Sequence, residues 1–470
     1  MAIVLNPLRQ AQPEGIELIQ RSYLEWLESQ EGELFSGYVE KRDYYSGDHQ
    51  TQLTKRMRKF LELRADQDFQ INVCGLVVDA LAEKLKVARF DCGKDTKQAD
   101  TLAQWWDDNR MDAQQAIVHL AAVRDGDTYV LVEWDNEAAR PRYTFEAAYD
   151  GSEGVHVFYS DERRLEAVVA IKRWTVTSGQ SIKTRRENRY YPDRVEKYTD
   201  LGTGLAWQHH EEEGKPWPAP WTDTGREDGG PLGIPVIHFR NRDQGKSQGQ
   251  SELDAAIPLQ NAGNKALIDL LGAADTTGFQ MVYATGISLE DPVIVAPGSI
   301  LKSTSPDAKF GTLTPATLDD LIALKDSIIA DIGKTTRTPL SFFQLTGQVA
   351  SEGTQKEQRA GLIAKAADRQ VTFGNAWEDV QVFARKLNEV FGPGGLELET
   401  RISTVWEDDE KPEPKELAEQ VELLTRAEAA STQTKVQILH PDWSEKQIAA
   451  EVALILAETG QAVPEIGAVA

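Results

Sequence analysis

Residues 249–286 read GQSELDAAIPLQNAGNKALIDLLGAADTTGFQMVYATG, and the hydrophobic period changes within them. Ser251, with Asp254 three residues later, has the form of a capping box and predicts a helix from Ser251 to about 275. Leu267, Leu270 and Leu271 carry the later part of its apolar face. Pro258 falls inside the pattern, where its missing N–H predicts a kink or a restart. From Phe279 the chain turns to β-branched and aromatic runs: FQMVYATG, DPVIVAPGSILKS and FGTLTP (279–315) predict short strands and turns. TLDDLIALKDSIIADIGK (317–334) is helical again, with Leu321, Leu324, Ile328 and Ile332 on one face and Pro339 as its stop. A helix, a small β module and a second helix therefore stand in series.

Downstream, TRTPLSFFQLTGQVASEGTQKEQ (336–358) carries no lysine or arginine between Thr338 and Gln355. Thr354 and Glu357 form a second capping box, which predicts a helix running to about Phe391 with Trp377, Val380, Phe383, Leu387 and Val390 at helical spacing. GPGG (392–395) ends it, KPEPKE (411–416) reads as a linker, and KELAEQVELLTRAE and SEKQIAAEVALILAETG predict two more helices. Upstream, residues 14–39 have helical spacing at Ile16, Ile19, Tyr23, Trp26 and Leu27, and YYSGDHQ (44–50) is turn chemistry. INVCGLVVDALAEKLKV (71–87) reads as one amphipathic helix, and residues 102–126 as helices ending at Gly126. DTYVLVEW, RYTFEAAY, GVHVFYS, LEAVVAIKRWTV, NRYYPDRVEKYTD and IPVIHFRN then predict antiparallel strands and hairpins over 127–241. Residues 209–232, rich in Pro, Gly and charge, read as an exposed hairpin tip or loop. The fold class is α+β, in several modules, because 470 residues exceed the ~250–300 at which one core stops growing.

Fifty-one lysines and arginines face 75 acids, for a net charge of −24. Such a surface does not grip phosphates, since affinity for nucleic acid comes mostly from cationic contacts, and it disfavours anionic membranes. The two cysteines, Cys74 and Cys92, suggest neither a disulfide framework nor a zinc site. Cys74 lies in the apolar run VCGLVV, as a buried thiol would. MAIVLNPLRQ has no cationic start or long apolar core and is not expected to be a signal peptide. No apolar run approaches the ~20 residues of a membrane span.

Several motifs are weaker than they look. GKSQG (245–249) matches G-x-S-x-G, with Ser247 as a candidate nucleophile, but RNRDQ separates it from the preceding strand; a flexible Gly/Ser hinge leading into a helix is the better reading. GKT (333–335) lacks the P-loop glycine five residues earlier, where Ile328 stands. HHEEE (209–213) holds metal-ligand residue types but is better read as a solvated charge run, and the carboxylates of WEDDE (406–410), an acid/base type, as chance adjacency among 75 acids. LTKRMRKFLELR (53–64) and SIKTRRENR (181–189) are local cationic clusters, expected to be charged helix faces or partners in salt bridges between subunits.

The ordered set of helix, β module, helix, soft loop and long helix resembles the core of the tailed-bacteriophage portal proteins. The resemblance rests on residues 249–286 and 320–387, on the strand runs DGDTYVLVEW and YSDERRLEAVVAIKRW, and on TVWEDDEKPEPKELAEQVELL, and it extends from about residue 40 to 460. Where that family often has a Ser-Gly-x-Ala-Leu-like segment after the loop, this chain reads SEGTQ. The resemblance implies a multi-module fold. Residues 1–240 would form a helical and β wing, 241–278 the first stem helix, 279–313 the small α/β clip and 314–336 the second stem helix. Residues 337–354 would form a channel loop, 355–410 a long helix returning to the wing, and 411–470 a helical crown.

The same resemblance implies a homo-oligomeric ring, usually of twelve subunits, at one capsid vertex of the virion. Double-stranded DNA would pass through it without sequence specificity. The implied protein partners are the terminase large subunit, a head-completion or adaptor protein, and the major capsid and scaffolding proteins. Assembly would take place in the host cytoplasm, with no membrane, cofactor or enzymatic activity. Thr346, Gly347, Gln348, Val349 and Ser351 would face the DNA, and Val293, Ile294, Lys302 and Lys309 would dock partners on the clip. Two other readings stand beside it: another capsid or connector protein, which electron microscopy for closed rings would separate, and a serine hydrolase using Ser247.

Overall fold

In the computed structural model the described residues are 36–49, 70–160, 166–178, 182–200, 207–223, 230–242, 245–278, 282–286, 306–312, 318–343, 352–407, 414–427, 429–440, 443 and 445–458. The chain divides into two compact units, Met1–Glu407 and Asp408–Ala470.

The first unit is organised by strand β2 (Asp127–Asp135), the centre of a three-stranded antiparallel sheet with β10 (Val236–Arg240) on one side and β3 (Arg140–Ala147) on the other. Successive residues of a strand point to opposite faces, and here both faces are covered. Val130 and Val132 enter a core shared with the helices, while Tyr129 and Leu131 enter a second core against a larger sheet. That is why TYVLV reads as a continuous apolar run. The larger sheet is a meander of β4 (Gly154–Tyr159), β5 (Ala167–Ser178), β6 (Ile182–Tyr190), β7 (Arg194–Asp200) and β8 (Gln208–His209), with β9 (Ala219–Pro220) also pairing β7. The strands expected between 127 and 241 form at those places. Residues 209–232 are not simply an exposed tip: β8 and β9 pair with β7, and Trp221 donates from its indole N–H to the Gly233 carbonyl at 2.7 Å.

Helices α1 (Ser36–Ser46), α2 (Cys74–Ala82), α3 (Thr96–Asp108) and α4 (Met111–Asp125) precede the sheets. Helix α1 runs through Tyr44 and Tyr45, so the turn expected from residue 44 starts at Gly47, where φ is +83°. The helix expected over 71–87 stops at Ala82. Val87–Asp91 is strand β1, paired antiparallel with β13 (Ser403–Trp406) some 300 residues away. Helix α4 ends at Gly126 as expected, with φ at +101°. Cys74 is fully buried and its thiol is pushed up to about 12 by burial, while Cys92 is buried too. Helix α5 (Ala256–Gly278) and helix α6 (Asp319–Thr336) pack on each other, and α7 (Glu352–Phe391) runs 40 residues through the helical core.

Three corrections concern helix starts. Ser251 does not cap α5: its hydroxyl donates to the Arg124 carbonyl and accepts from Leu253 N–H at 3.0 Å, holding a turn before the helix begins. Pro258 therefore falls in the first turn of α5, where no N–H is required, and neither kinks nor restarts it. Thr354 lies inside α7, which starts at Glu352, and is not its cap.

The second unit holds α8 (Pro414–Arg426), α9 (Thr432–Leu439) and α10 (Glu445–Glu458). Helix α9 was not expected. Ser431 caps it, accepting from Thr434 N–H at 3.2 Å.

Candidate functional site

The α5–α6 pair meets at Gly263, where an added Cβ would stand in ordinary van der Waals contact, 3.6 Å from Ile328. Polar side chains of α5 fasten it at its base. Gln260 accepts from Val73 N–H at 3.0 Å, Asn264 from Ile71 N–H at 3.0 Å, and Asn261 from the Tyr44 hydroxyl at 2.8 Å. Farther along, α6 loses partners: Ile332 is buried, but Ile322 is 41 % and Leu324 50 % exposed. Leu324 thus does not share a buried face with Ile332, although the spacing puts both on one stripe.

Strands β11 (Val282–Thr285) and β12 (Lys309–Thr312) follow and precede these helices and pair antiparallel. Tyr283 lies opposite Gly311, and its ring fills the place a Cβ on that glycine would take, 2.5 Å from the nearest ring carbon. Lys309 is on β12 and exposed. Val293, Ile294 and Lys302 lie outside the described residues, as do Thr346, Gly347, Gln348, Val349 and Ser351.

What the structure does describe is the base of the segment 337–354. Helix α6 ends with Arg337 in the left-handed region at φ +56°, and Thr338 N–H returns to the Gly333 carbonyl at 2.9 Å. Pro339 follows, then a single 3₁₀ turn, Leu340–Phe342. Gly333, the glycine of GKT, has a structural use here: a Cβ would stand 2.7 Å from Leu340. Phe343 packs on the core, while Phe342 is 45 % exposed. Of these two phenylalanines, Phe343 alone packs at the base of the segment.

Beneath that turn lies a charge cluster that the sequence does not announce. Glu252, in the turn before α5, is almost fully buried. Its carboxylate is 2.7 Å from Lys365 Nζ, 2.9 Å from Arg369 and 3.4 Å from Arg242, and accepts from the Asn241 amide at 3.2 Å. Lys365 also donates to the Thr336 carbonyl at 2.8 Å, and Arg369 to the Asn241 side chain at 2.6 Å. Burial pushes the Glu252 carboxyl up, but Lys365 foremost, with the two arginines, brings it below its usual range. The only legible hint was that Lys365 and Arg369 are four apart and share the apolar face of α7.

GKSQG follows β10 after a turn, and α5 begins only at Ala256, so Ser247 is on no strand-to-helix elbow. Its last glycine is no flexible hinge. Gly249 N–H donates to Asp127 at 2.7 Å, and a Cβ there would stand 2.1 Å from the Gly126 carbonyl. In HHEEE the side chains diverge: His209 stacks on Trp217 at 3.5 Å, and Glu212 bonds Lys197 and Lys215, which hold its carboxyl at about 2. Among the described residues no group of three or more His, Cys, Asp or Glu could hold a metal ion. Nor is any described helix long and apolar enough to cross a membrane. Residues 182–189 of SIKTRRENR lie on strand β6, not on a helix face, and Arg189 pairs with Glu187 at 2.6 Å within the sheet. Residues 53–64 lie outside the described residues.

A family model described as phage portal protein, SPP1 Gp6-like, matches residues 25–465. The portal protein of Mycobacterium phage D29 is 22% identical over 359 residues, covering 72% of this chain and 68% of that one. The portal protein of Mycobacterium phage L5 is 20% identical over 350 residues, with the same coverage of each. Two solved structures are similar at 12% identity: a chain in the neck of an empty gene transfer agent particle computed with C6 symmetry, and a chain in the virion of the native particle. Their TM-scores are 0.42 and 0.43, with 78% of this chain covered in both and 90% and 89% of theirs. The family match begins ahead of α1 and ends beyond α10, so it takes in both units: the chain belongs to the SPP1 Gp6-like phage portal protein family.

Proposed function

We propose that copies of this portal protein close into a ring, of twelve subunits, at one vertex of the virion, and that the ring is the conduit for double-stranded DNA. In this reading α5 and α6 are the stem, residues 279–313 the clip, 337–354 the channel loop, 1–240 with α7 the wing, and 411–470 the crown. The observation that carries it is the half-exposed apolar surface of α6 at Ile322 and Leu324, on a helix whose main partner is the single helix α5. A neighbouring copy supplies the missing cover, and burial is worth ~25 cal/mol per Å² of apolar area. The charge of −24 per chain supports a conduit that does not grip its cargo, and the run without lysine or arginine between Thr338 and Gln355 supports a loop that touches DNA only in passing.

The clip would serve terminase and head-completion proteins. A two-stranded pair leaves strand edges for a partner, and Val293, Ile294, Lys302 and Lys309 are the residues assigned to that contact. Charged replacements at Val293 and Ile294 are expected to weaken docking. The test of the reading is electron microscopy and native mass spectrometry of the purified chain: closed rings with a central hole are expected, and monomers alone at micromolar concentration overturn it.

A further inference from the structure

The cluster around Glu252 joins four pieces of chain that are distant in sequence. These are the segment after β10 (Asn241, Arg242), the turn before α5 (Glu252), the end of α6 (the Thr336 carbonyl) and the middle of α7 (Lys365, Arg369). We propose that Glu252, Lys365 and Arg369 are a charge lock that fixes the outgoing end of α6 to α7 and so sets the direction in which residues 337–343 leave that helix. The part that concerns the conduit rests on the function proposed above.

The geometry argues for positioning rather than for bulk stability. A buried ion pair stabilises no better, as a rule, than apolar side chains of the same volume, because desolvation offsets the attraction. The neighbours Leu362, Ala366 and Phe373 show that this face of α7 is otherwise apolar. What charge supplies and an apolar contact does not is direction. One ammonium bridges a carboxylate at 2.7 Å and a main-chain carbonyl at 2.8 Å, so Lys365 fixes the last turn of α6 and the lead-in of α5 together. Thr336 is held a second way, its hydroxyl donating to the Ile332 carbonyl at 2.8 Å. Just beyond it Arg337 occupies a backbone region unfavourable to side chains other than glycine, so this end of the helix requires outside support. Glu252 is itself fixed from behind, its N–H donating to the Val123 carbonyl at 3.1 Å. Burial lowers the Lys365 pKa, consistent with an ammonium enclosed by protein rather than by water.

The experiment is hydrogen exchange by mass spectrometry on the full-length protein. It compares peptides over 333–343 with peptides over 373–387 of the same helix that carries the lock. In Lys365→Met, amides of the first set, which include Thr338 N–H, are expected to exchange at least tenfold faster, with the second set within twofold of wild type. Lys365→Arg, which keeps the cation, is expected to restore slow exchange. If Lys365→Met does not fold, Lys365→Gln, which keeps a donor without the charge, is read in its place with the same expectation. Exchange over 333–343 within twofold of wild type in the uncharged variant overturns the lock, and so does an equal rise in both sets. The readout does not depend on assembly: absence of wild-type rings would overturn the conduit and leave the lock standing or falling on its own result.

Discussion

His119 offers a titration whose sign and size follow from its surroundings. It is fully buried on α4, its Nδ1 donating to the Leu85 carbonyl at 2.8 Å and its Nε2 accepting from the Trp377 indole N–H at 2.8 Å. Both ring nitrogens are thereby committed in the neutral form, and a second ring proton would meet the indole N–H head on. Burial lowers its pKa to about 4, against about 6.5 for a solvated histidine. The folded chain then binds fewer protons than the unfolded one between these values, so stability contributed by neutral His119 is present above about pH 6.5 and is lost as pH falls toward 4. The two pKa values give a loss of about 2 kcal/mol between pH 7 and pH 5 from this group. His156, buried and lowered to about 4 by the same cause, adds a similar slope, so a comparison with a variant is needed. His119→Gln keeps a donor and an acceptor but does not titrate. Urea unfolding followed by tryptophan fluorescence at pH 7, 6 and 5 is expected to show wild type losing about 2 kcal/mol more than the variant over that range. Parallel curves, agreeing within about 0.5 kcal/mol, would refute the claim that burial holds His119 neutral.

Gly249→Ala drives a methyl group to 2.1 Å from the Gly126 carbonyl and is expected to cost about 2 kcal/mol or more, read as a lowered thermal midpoint. Arg337→Gly removes a side chain from the left-handed region and is expected to stabilise by up to about 1 kcal/mol in the same assay. Leu324→Asp, at a half-exposed site, is expected to leave the helix content by circular dichroism unchanged while native mass spectrometry shows fewer rings. Deleting 346–350 is expected to leave rings intact and reduce packaged DNA. Gln348→Lys should slow packaging at low salt and recover as salt rises; a variant indistinguishable from wild type at low salt counts against placing the loop beside DNA.

What the sequence makes legible is set by how local the cause is. Strands β2 to β5, β7 and β10 were readable because each holds β-branched or aromatic residues close to turn residues, whereas the arginine-rich β6 and the short β8 and β9 were not; α7 was readable because Trp377, Val380, Ala384 and Leu387 keep one face buried over several turns. The β1–β13 pairing was not readable. KLKVARFD continues a helical pattern, and its strand partner lies beyond residue 400. The start of α5 was misplaced for the same reason, since the Ser251 hydroxyl is drawn to Arg124, a residue far away in sequence. Glu252 is one acid among 75 in the sequence, and only the convergence of distant segments makes it and Lys365 a cluster. The family resemblance came from the order of elements and not from a motif, which is why it points to the family and not to the residues that hold the fold together.

The burial of Glu252 also separates two responses to ionic strength. Mobile ions screen charges they can surround, within a Debye length of about 8 Å at physiological salt, and have little purchase on a carboxylate enclosed by protein. The outer surface behaves oppositely. Twenty-four net negative charges on each copy repel their like across any shared boundary, and that repulsion relaxes as counterions accumulate. Salt therefore acts on the meeting of copies and has little effect on the Glu252 cluster within each one. A particle filling with DNA and its attendant cations changes the medium around the portal greatly, yet the buried contacts of Glu252 with Lys365 and Arg369 stay insulated from that change.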